Sequence, residues 1–281
     1  MTMKRNSDLQ PIGSVIAGLK WHDEDRFCQL HGSYRARIVY VAGKKVSDGF
    51  CPKCYQLQQE ALAAEQAAAK ARLDAEKERK RMEEALGRAC IPADFRGKSF
   101  DSFIADTPEL EQALSLAKRF VSGWDKAREG GYGLYFYGNP GTGKSHLAVS
   151  IIKALLPGVS ALYTRVPDMI GYIRAMWHHD SQMSSYDAVR RYVELDLLVL
   201  DELGVQAGSA NEQTLLFEVI DARLSENRPT IFLSNLKPTD LVPVIGDRLV
   251  DRIKGKCVAQ PFTGVSHRKP LTAEDVFGEA A

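Results

Sequence analysis

The sequence predicts an α/β domain with a mostly parallel sheet, preceded by a small β-hairpin module and a long helix. Three observations predict it. From Ile91 onward, short apolar runs alternate with helical patterns. From Tyr55 to Ala89 the composition narrows to Ala, Glu, Gln, Lys and Arg, with no Gly or Pro before Gly87. Residues 21–55 gather Cys28, Cys51 and Cys54 around His31 and contain one alternating, β-prone stretch. These shifts set boundaries at 1–55, 56–90 and 91–281.

Residues 1 to about 20 show no clear period. From Tyr34 to Val41, polar residues alternate with β-branched or aromatic ones, and Ala42-Gly43-Lys44-Lys45 reads as a turn, so a hairpin is expected. Cys28-x-x-His31 and Cys51-x-x-Cys54 flank this hairpin. Two-residue spacings let each pair converge on one ion, giving a Cys3His tetrahedron for zinc. Four protein ligands leave no open position, so the site is structural by type. Gly32 and Gly49 suit the tight turns beside the pairs, and His22 is a substitute ligand with poorer spacing. A segment this short has little core of its own, so metal binding would supply much of its folding energy. Five cysteines in all, an odd and uneven set, argue against a disulfide framework. Cys90 and Cys257 read as small buried apolar residues.

The 56–90 segment has high helix propensity throughout. Leu57, Leu62, Leu73, Met82 and Leu86 keep no heptad, so it reads as a solvated helical linker or as a helix that docks on a partner.

In 91–281 the apolar runs are Tyr132–Tyr137, Ser160–Thr164, Asp196–Leu200, Pro229–Ser234 and Cys257–Gln260. Helical patterns at His146–Leu155, Met169–Trp177 and Asn211–Leu224 lie between them. Buried runs alternating with helices indicate a largely parallel sheet. No run approaches the roughly 18 residues needed to span a bilayer, and the N-terminus lacks the apolar core of a signal peptide. A cytoplasmic protein is expected. The formal net charge is +1, so any nucleic-acid contact must come from local basic patches.

Gly138-Asn139-Pro140-Gly141-Thr142-Gly143-Lys144-Ser145 fits G-x-x-x-x-G-K-[ST], with a strand before it and a helix after it. Glycines let successive N–H groups face phosphate oxygens, and the helix N-terminus adds free N–H groups and a positive dipole end. Lys144 supplies a charge for the β- and γ-phosphates, and Ser145 a magnesium ligand. ATP with Mg2+ is therefore the expected ligand. Leu197-Leu198-Val199-Leu200-Asp201-Glu202 is an apolar strand ending in two carboxylates. Asp201 would hold the magnesium and Glu202 would polarise the attacking water. The run Pro229–Ser234 ends at Asn235, placed to orient that water at the sheet's C-terminal edge.

Leu200–Gln206, Ser234-Asn235-Leu236 and Asp247-Arg248-Leu249-Val250-Asp251-Arg252 together resemble the DnaC/IstB branch of AAA+ ATPases. Ile91–Arg96 with Lys98–Asp101 is similar to that branch as well, and the likeness runs from about 91 to 270. The resemblance implies an AAA+ P-loop NTPase fold and ATP hydrolysis between self-associated subunits. It also implies an arginine finger from the neighbouring subunit, Arg252 first and Arg248 second, and a second sensor at Arg268. Members of the branch load a replicative hexameric helicase onto single-stranded DNA, or assist a transposase. Extra helices in the branch touch single-stranded DNA, which singles out Met169–His179 with Arg174, Trp177, His178 and His179; packing in the core is the other reading of that helix. The leading reading is a helicase loader with an added zinc module. The alternatives are an IstB-like transposition helper and a non-hydrolysing zinc adaptor.

Overall fold

The computed structural model describes residues 19–176, 184–205, 210–268 and 275. Most of the lead-in, Trp177 with His178 and His179, and Gln206 lie outside the described residues. The chain divides into two units, Met1–Glu78 and Arg79–Ala281.

The first unit holds a three-stranded antiparallel sheet of β1 (Leu19–Cys28), β2 (Gly32–Val41) and β3 (Lys44–Ser47), in the order β1-β2-β3. The expected hairpin is β2–β3, turned by Ala42 and Gly43 at φ 48° and 79°, the paired left-handed geometry of a tight hairpin. Strand β1 adds to that expectation. Its sequence, LKWHDEDRFC, shows no apolar alternation, and a ten-residue antiparallel ladder holds it to β2. Asp23 stands opposite Arg37, and Arg37 Nε donates to Asp23 Oδ1 at 2.9 Å while its guanidinium lies 4.2 Å over the Trp21 ring. On the other face Ala36 and Ile38 are buried. Helix α1 (Pro52–Arg88) follows and starts ahead of the expected 56, because Pro52 suits a first helical position. Leu57, Leu62 and Leu73 are exposed along it.

The second unit continues from the end of α1 through α2 (Pro108–Ser122), α3 (Trp124–Gly130), β4 (Gly133–Gly138) and α4 (Lys144–Leu155). Then come β5 (Ala161–Arg165), α5 (Val166–Ala175), α6 (Ser185–Val193), β6 (Leu197–Asp201) and α7 (Ala210–Ser225). The described part closes with β7 (Thr230–Ser234), α8 (Val242–Ile245), α9 (Asp247–Lys256) and β8 (Cys257–Phe262). All five strands pair in parallel, in the order β5-β6-β7-β4-β8.

The short strands read as unbroken apolar runs because both faces of the sheet are covered. Leu134, Phe136, Val199, Ile231 and Leu233 point into one cluster with Leu147 and Ile151 of α4 and Leu110 and Phe120 of α2. Tyr135, Leu198, Leu200 and Phe232 point the other way, against Ile170 and Ile173 of α5, Val219 of α7 and Leu249 of α9. Each large side chain buried this way contributes about 1.5–3 kcal/mol. The sequence reading passes over α2 and α6, although both carry N-terminal signals. Thr107 caps α2 by accepting from Leu110 N at 3.3 Å, and Ser184 with Asp187 forms a capping box on α6. Cys90 departs from its expected burial. It sits at φ 52° just past α1, and its side chain is exposed between buried Ala89 and Ile91.

Arg223 of α7 is fully buried. Its Nε donates to Thr230 Oγ1 at 2.9 Å and its Nη atoms to the carbonyls of Tyr192, Leu195 and Pro229 at 2.7, 2.9 and 2.6 Å. One guanidinium thus joins the end of α6, the approach to β6 and the start of β7. Among the described residues no helix is long and apolar enough to cross a membrane.

Candidate functional site

The phosphate loop leaves the central part of the sheet. Gly138 ends β4 at φ 126°, and a Cβ there would press on the Phe262 carbonyl, so the chain can turn only where no side chain stands. Gly143 opens α4 at φ 100°. Thr142 Oγ1 donates to Asn139 O at 2.7 Å and closes the loop on itself. The segment after β8 braces it from outside. Asn139 N donates to Phe262 O at 2.9 Å, Asn139 Nδ2 to the Thr263 and Gly264 carbonyls at 3.2 Å, and His267 N to Gly141 O at 3.0 Å. Pro140, Gly141 and Thr142 therefore lie between α4 and residues 262–268. Arg268, exposed, is near enough for its charge to act on Lys144.

Lys144 Nζ donates to Gly138 O at 2.8 Å and Asn139 O at 2.6 Å. Burial lowers its pKa to about 8, opposed by the charge of Asp201 and aided by that of Arg268. The ammonium thus rests on loop carbonyls.

Opposite the loop, Ser145 Oγ donates to Asp201 Oδ2 at 2.8 Å. Asp201 Oδ1 accepts from the Glu202 backbone N–H at 2.6 Å. Glu202 is a non-glycine residue at φ 60°, a conformation that costs about 1 kcal/mol or more and gathers at functional sites. That turn is held by Leu203 N donating to Leu233 O at 3.0 Å, Ser234 Oγ to Leu203 O at 2.5 Å and Val205 N to Glu202 O at 3.1 Å. The Glu202 side chain is 40% exposed, with Arg165 Nη1 3.9 Å from Oε1. Asn235 follows β7, and β7 lies between β4 and β6. That order places Asn235, exposed, on the sheet edge between the phosphate loop and Glu202.

Two residues of β5 were not singled out from sequence. Tyr163 Oη donates to Asp201 Oδ2, and burial together with the Asp201 charge pushes its phenol well above the usual range. Arg165 holds Asp168 through Nε at 2.7 Å and Nη2 at 3.0 Å while facing Glu202. A Tyr-x-Arg alternation on a strand beside the acidic strand is the signal that could have found them.

The remaining candidates stand apart from this cluster. Arg248 is exposed, its guanidinium 5.8 Å from the Phe217 ring centre. Arg252, one helical turn on, forms an ion pair with Asp221 and donates from Nη2 to Ser225 Oγ at 2.9 Å. Arg174, offered as a DNA contact, forms an ion pair with Glu212 at 3.1 Å and stays partly exposed.

In the first unit, Cys28, His31, Cys51 and Cys54 bring their ligand atoms within 4.8 Å of one another. Cys28 Sγ is 3.6 Å from Cys54 Sγ, and His31 Nδ1 is 3.3–3.8 Å from the three sulfurs. A zinc tetrahedron with Zn–S near 2.3 Å and Zn–N near 2.0 Å has edges of about 3.5–3.8 Å, so the set fits that ion. The Leu30 backbone N–H, and after it the His31 ring, hold the Cys28 thiol down to about 6. Sequence folds the cluster locally. Arg26 Nη1 donates to Asp48 O at 2.7 Å and Tyr34 Oη to Gly49 O at 3.1 Å, and these bonds carry Cys51 back to the β1–β2 turn. Gly49, at φ 62°, packs so closely that a Cβ would lie 2.7 Å from that of Ala36.

The fold and the loop between β4 and α4 define a P-loop nucleotide-binding α/β protein. The family described as IstB-like ATP binding protein matches residues 74–273, and this chain belongs to it, an AAA+ ATP-binding family. It is 30% identical over 208 residues to the replicative helicase loader DnaC of Escherichia coli K12, covering 73% of this chain and 83% of that one. It is 34% identical over 174 residues to YdaV of the same organism, covering 62% and 68%. The crystal structure of the DnaC helicase loader superposes with a TM-score of 0.57 at 23% identity, over 61% of this chain and 100% of that one. This last likeness is one of fold.

Proposed function

We infer that this protein is an ATPase that loads a replicative hexameric helicase onto single-stranded DNA. The observation that carries the reading is the similarity to a replicative helicase loader over four-fifths of that relative's length. The phosphate loop and the Asp201–Glu202 turn fall within the matched family region. In this reading the Lys144 ammonium leaves the Gly138 and Asn139 carbonyls for the β- and γ-phosphates of ATP. Ser145 and Asp201, a hydroxyl and a carboxylate, are the hard oxygen donors that suit magnesium, which would neutralise charge on the β- and γ-phosphate oxygens. Glu202 accepts a proton from the attacking water, Asn235 orients that water, and Arg268 contacts the nucleotide in cis. Arg252 or Arg248 reaches the γ-phosphate of a neighbouring subunit, so self-association completes the site. Arg252 must exchange Asp221 for phosphate to do so, whereas Arg248 is already exposed.

Cys28, His31, Cys51 and Cys54 would hold zinc as a structural ion, and the first unit would serve as the partner-specific part. A cytoplasmic location accords with this work. Retention of a replicative helicase on the immobilised protein, with ATP and without it, tests the reading. Capture of the helicase supports it, and failure to retain any hexameric helicase rejects it. The family match also favours a second reading, an IstB-like helper of a transposase. Preference for duplex over single-stranded DNA, with retention of a transposase, would select that one.

A further inference from the structure

We propose that Tyr163 is a positioning residue for Asp201, fixing the carboxylate that serves the magnesium of the nucleotide site. The inference rests on the magnesium-dependent site just described and adds a residue to it. Parallel pairing sets Arg165 of β5 opposite Asp201 of β6. Tyr163, two residues earlier on β5, reaches forward on the same face to Asp201 Oδ2.

The tyrosine is itself held at three points. Its backbone N–H donates to Ala89 O at 2.9 Å, its ring lies 6.4 Å from that of Phe95, and its hydroxyl ends on the carboxylate. The side chain is almost wholly buried. Two of these anchors, the Ala89 carbonyl and the Phe95 ring, lie outside the phosphate loop. Asp201 then has three donors: Ser145 Oγ and Tyr163 Oη on Oδ2, and Glu202 N on Oδ1. Ser145 would itself be a magnesium ligand, and the Glu202 amide belongs to a strained turn. Tyr163 is the donor that the nucleotide chemistry proposed above does not otherwise use. Hydrogen-bond partners that orient a metal-binding carboxylate are typically worth 10- to 100-fold in metal affinity.

A tyrosine that merely fills space is replaced without loss by phenylalanine, which keeps the ring. The test is Tyr163→Phe in the full chain, read by magnesium titration of a fluorescent ADP analogue bound to the protein, with binding in EDTA as reference. The magnesium midpoint should rise about tenfold, while binding in EDTA stays within about twofold of wild type. In an Asp201→Asn background the same change should add less than about twofold, because its target is gone. An unchanged midpoint, or an equal loss of binding in EDTA, would overturn the role. So would wild-type nucleotide binding that ignores magnesium. The titration requires no turnover, so a protein that fails to hydrolyse ATP would defeat the ATPase reading and leave this result standing.

Discussion

Ser145 Oγ donates to Asp201 Oδ2 across 2.8 Å, although the two residues stand 56 positions apart. One opens the helix after the phosphate loop, and the other ends a strand two places away in the sheet. Parallel pairing through β7 makes the meeting, since β4 and β6 both lie against that strand. The fold thus brings the hydroxyl and carboxylate together.

ATP affinity should depend on pH through Lys144. Burial brings its ammonium to about 8 in the free protein, whereas bound phosphates favour the charged form. Above about pH 8 the complex therefore holds more protons than the free protein, so raising the pH weakens binding. Calorimetric titration should give a constant Kd from pH 6.5 to 7.5 and weakening toward pH 9.5, with proton uptake in that upper range. A flat profile would remove Lys144 as the linked group. Lys144→Ala should abolish binding at every pH.

Glu202→Gln should keep ATP binding and slow turnover by about 10²- to 10⁴-fold, the usual worth of a general base. Asn235→Ala should lower kcat with little change in KM, as expected of a residue that orients water and not substrate. Steady-state ATPase kinetics beside equilibrium nucleotide binding check both. Turnover by Glu202→Gln at the wild-type rate would displace Glu202 from the chemistry.

Arginine supply across a subunit boundary makes a distinct prediction. Arg248→Ala or Arg252→Ala should bind ATP and lose turnover by about 10³-fold if it is the finger. Mixing that variant with Lys144→Ala should restore part of the activity, because one chain brings the arginine and the other an intact site. The Arg252 change also removes the contacts to Asp221 and Ser225, a loss of about 1 kcal/mol at this exposure, so a small drop in Tm accompanies it. No restoration for either arginine would place hydrolysis within one chain.

The purified protein should carry close to one zinc per chain. Cys51→Ser should remove it, and limited proteolysis should then cut within residues 19–55 while the unit beginning at Arg79 persists. Elemental analysis and mass mapping of the fragments report both. A metal-free protein with an intact first unit would show that the cluster folds without an ion.

The legible part of this protein is what local spacing encodes. The phosphate loop, the carboxylate pair and the two ligand pairs are contiguous, and each names its chemistry through residue type and interval. The strands of the second unit were legible because both faces are buried, which turns them into short apolar runs. Strand β1 was not, since its residues show no apolar alternation and its ten-residue ladder to β2 becomes visible only once the register is known. Tyr163 was hidden for the same reason: the Tyr-x-Arg alternation points to Asp201 only once β5 is known to lie beside β6. Arg223, too, reads as an ordinary surface residue until the carbonyls of three elements are seen to converge on it. The amphipathic segment at 169–179 suggested either a DNA-facing arginine or core packing; Ile170 and Ile173 pack in the core, and Arg174 pairs with Glu212.

ATP-dependent loading of a replicative hexameric helicase onto closed circular single-stranded DNA tests the central claim most directly. Helicase recovered on the circle should increase severalfold when this protein and ATP are both present, and should fall to background with Lys144→Ala. Equal recovery with and without the protein, or loading that is indifferent to Lys144→Ala, would contradict the account.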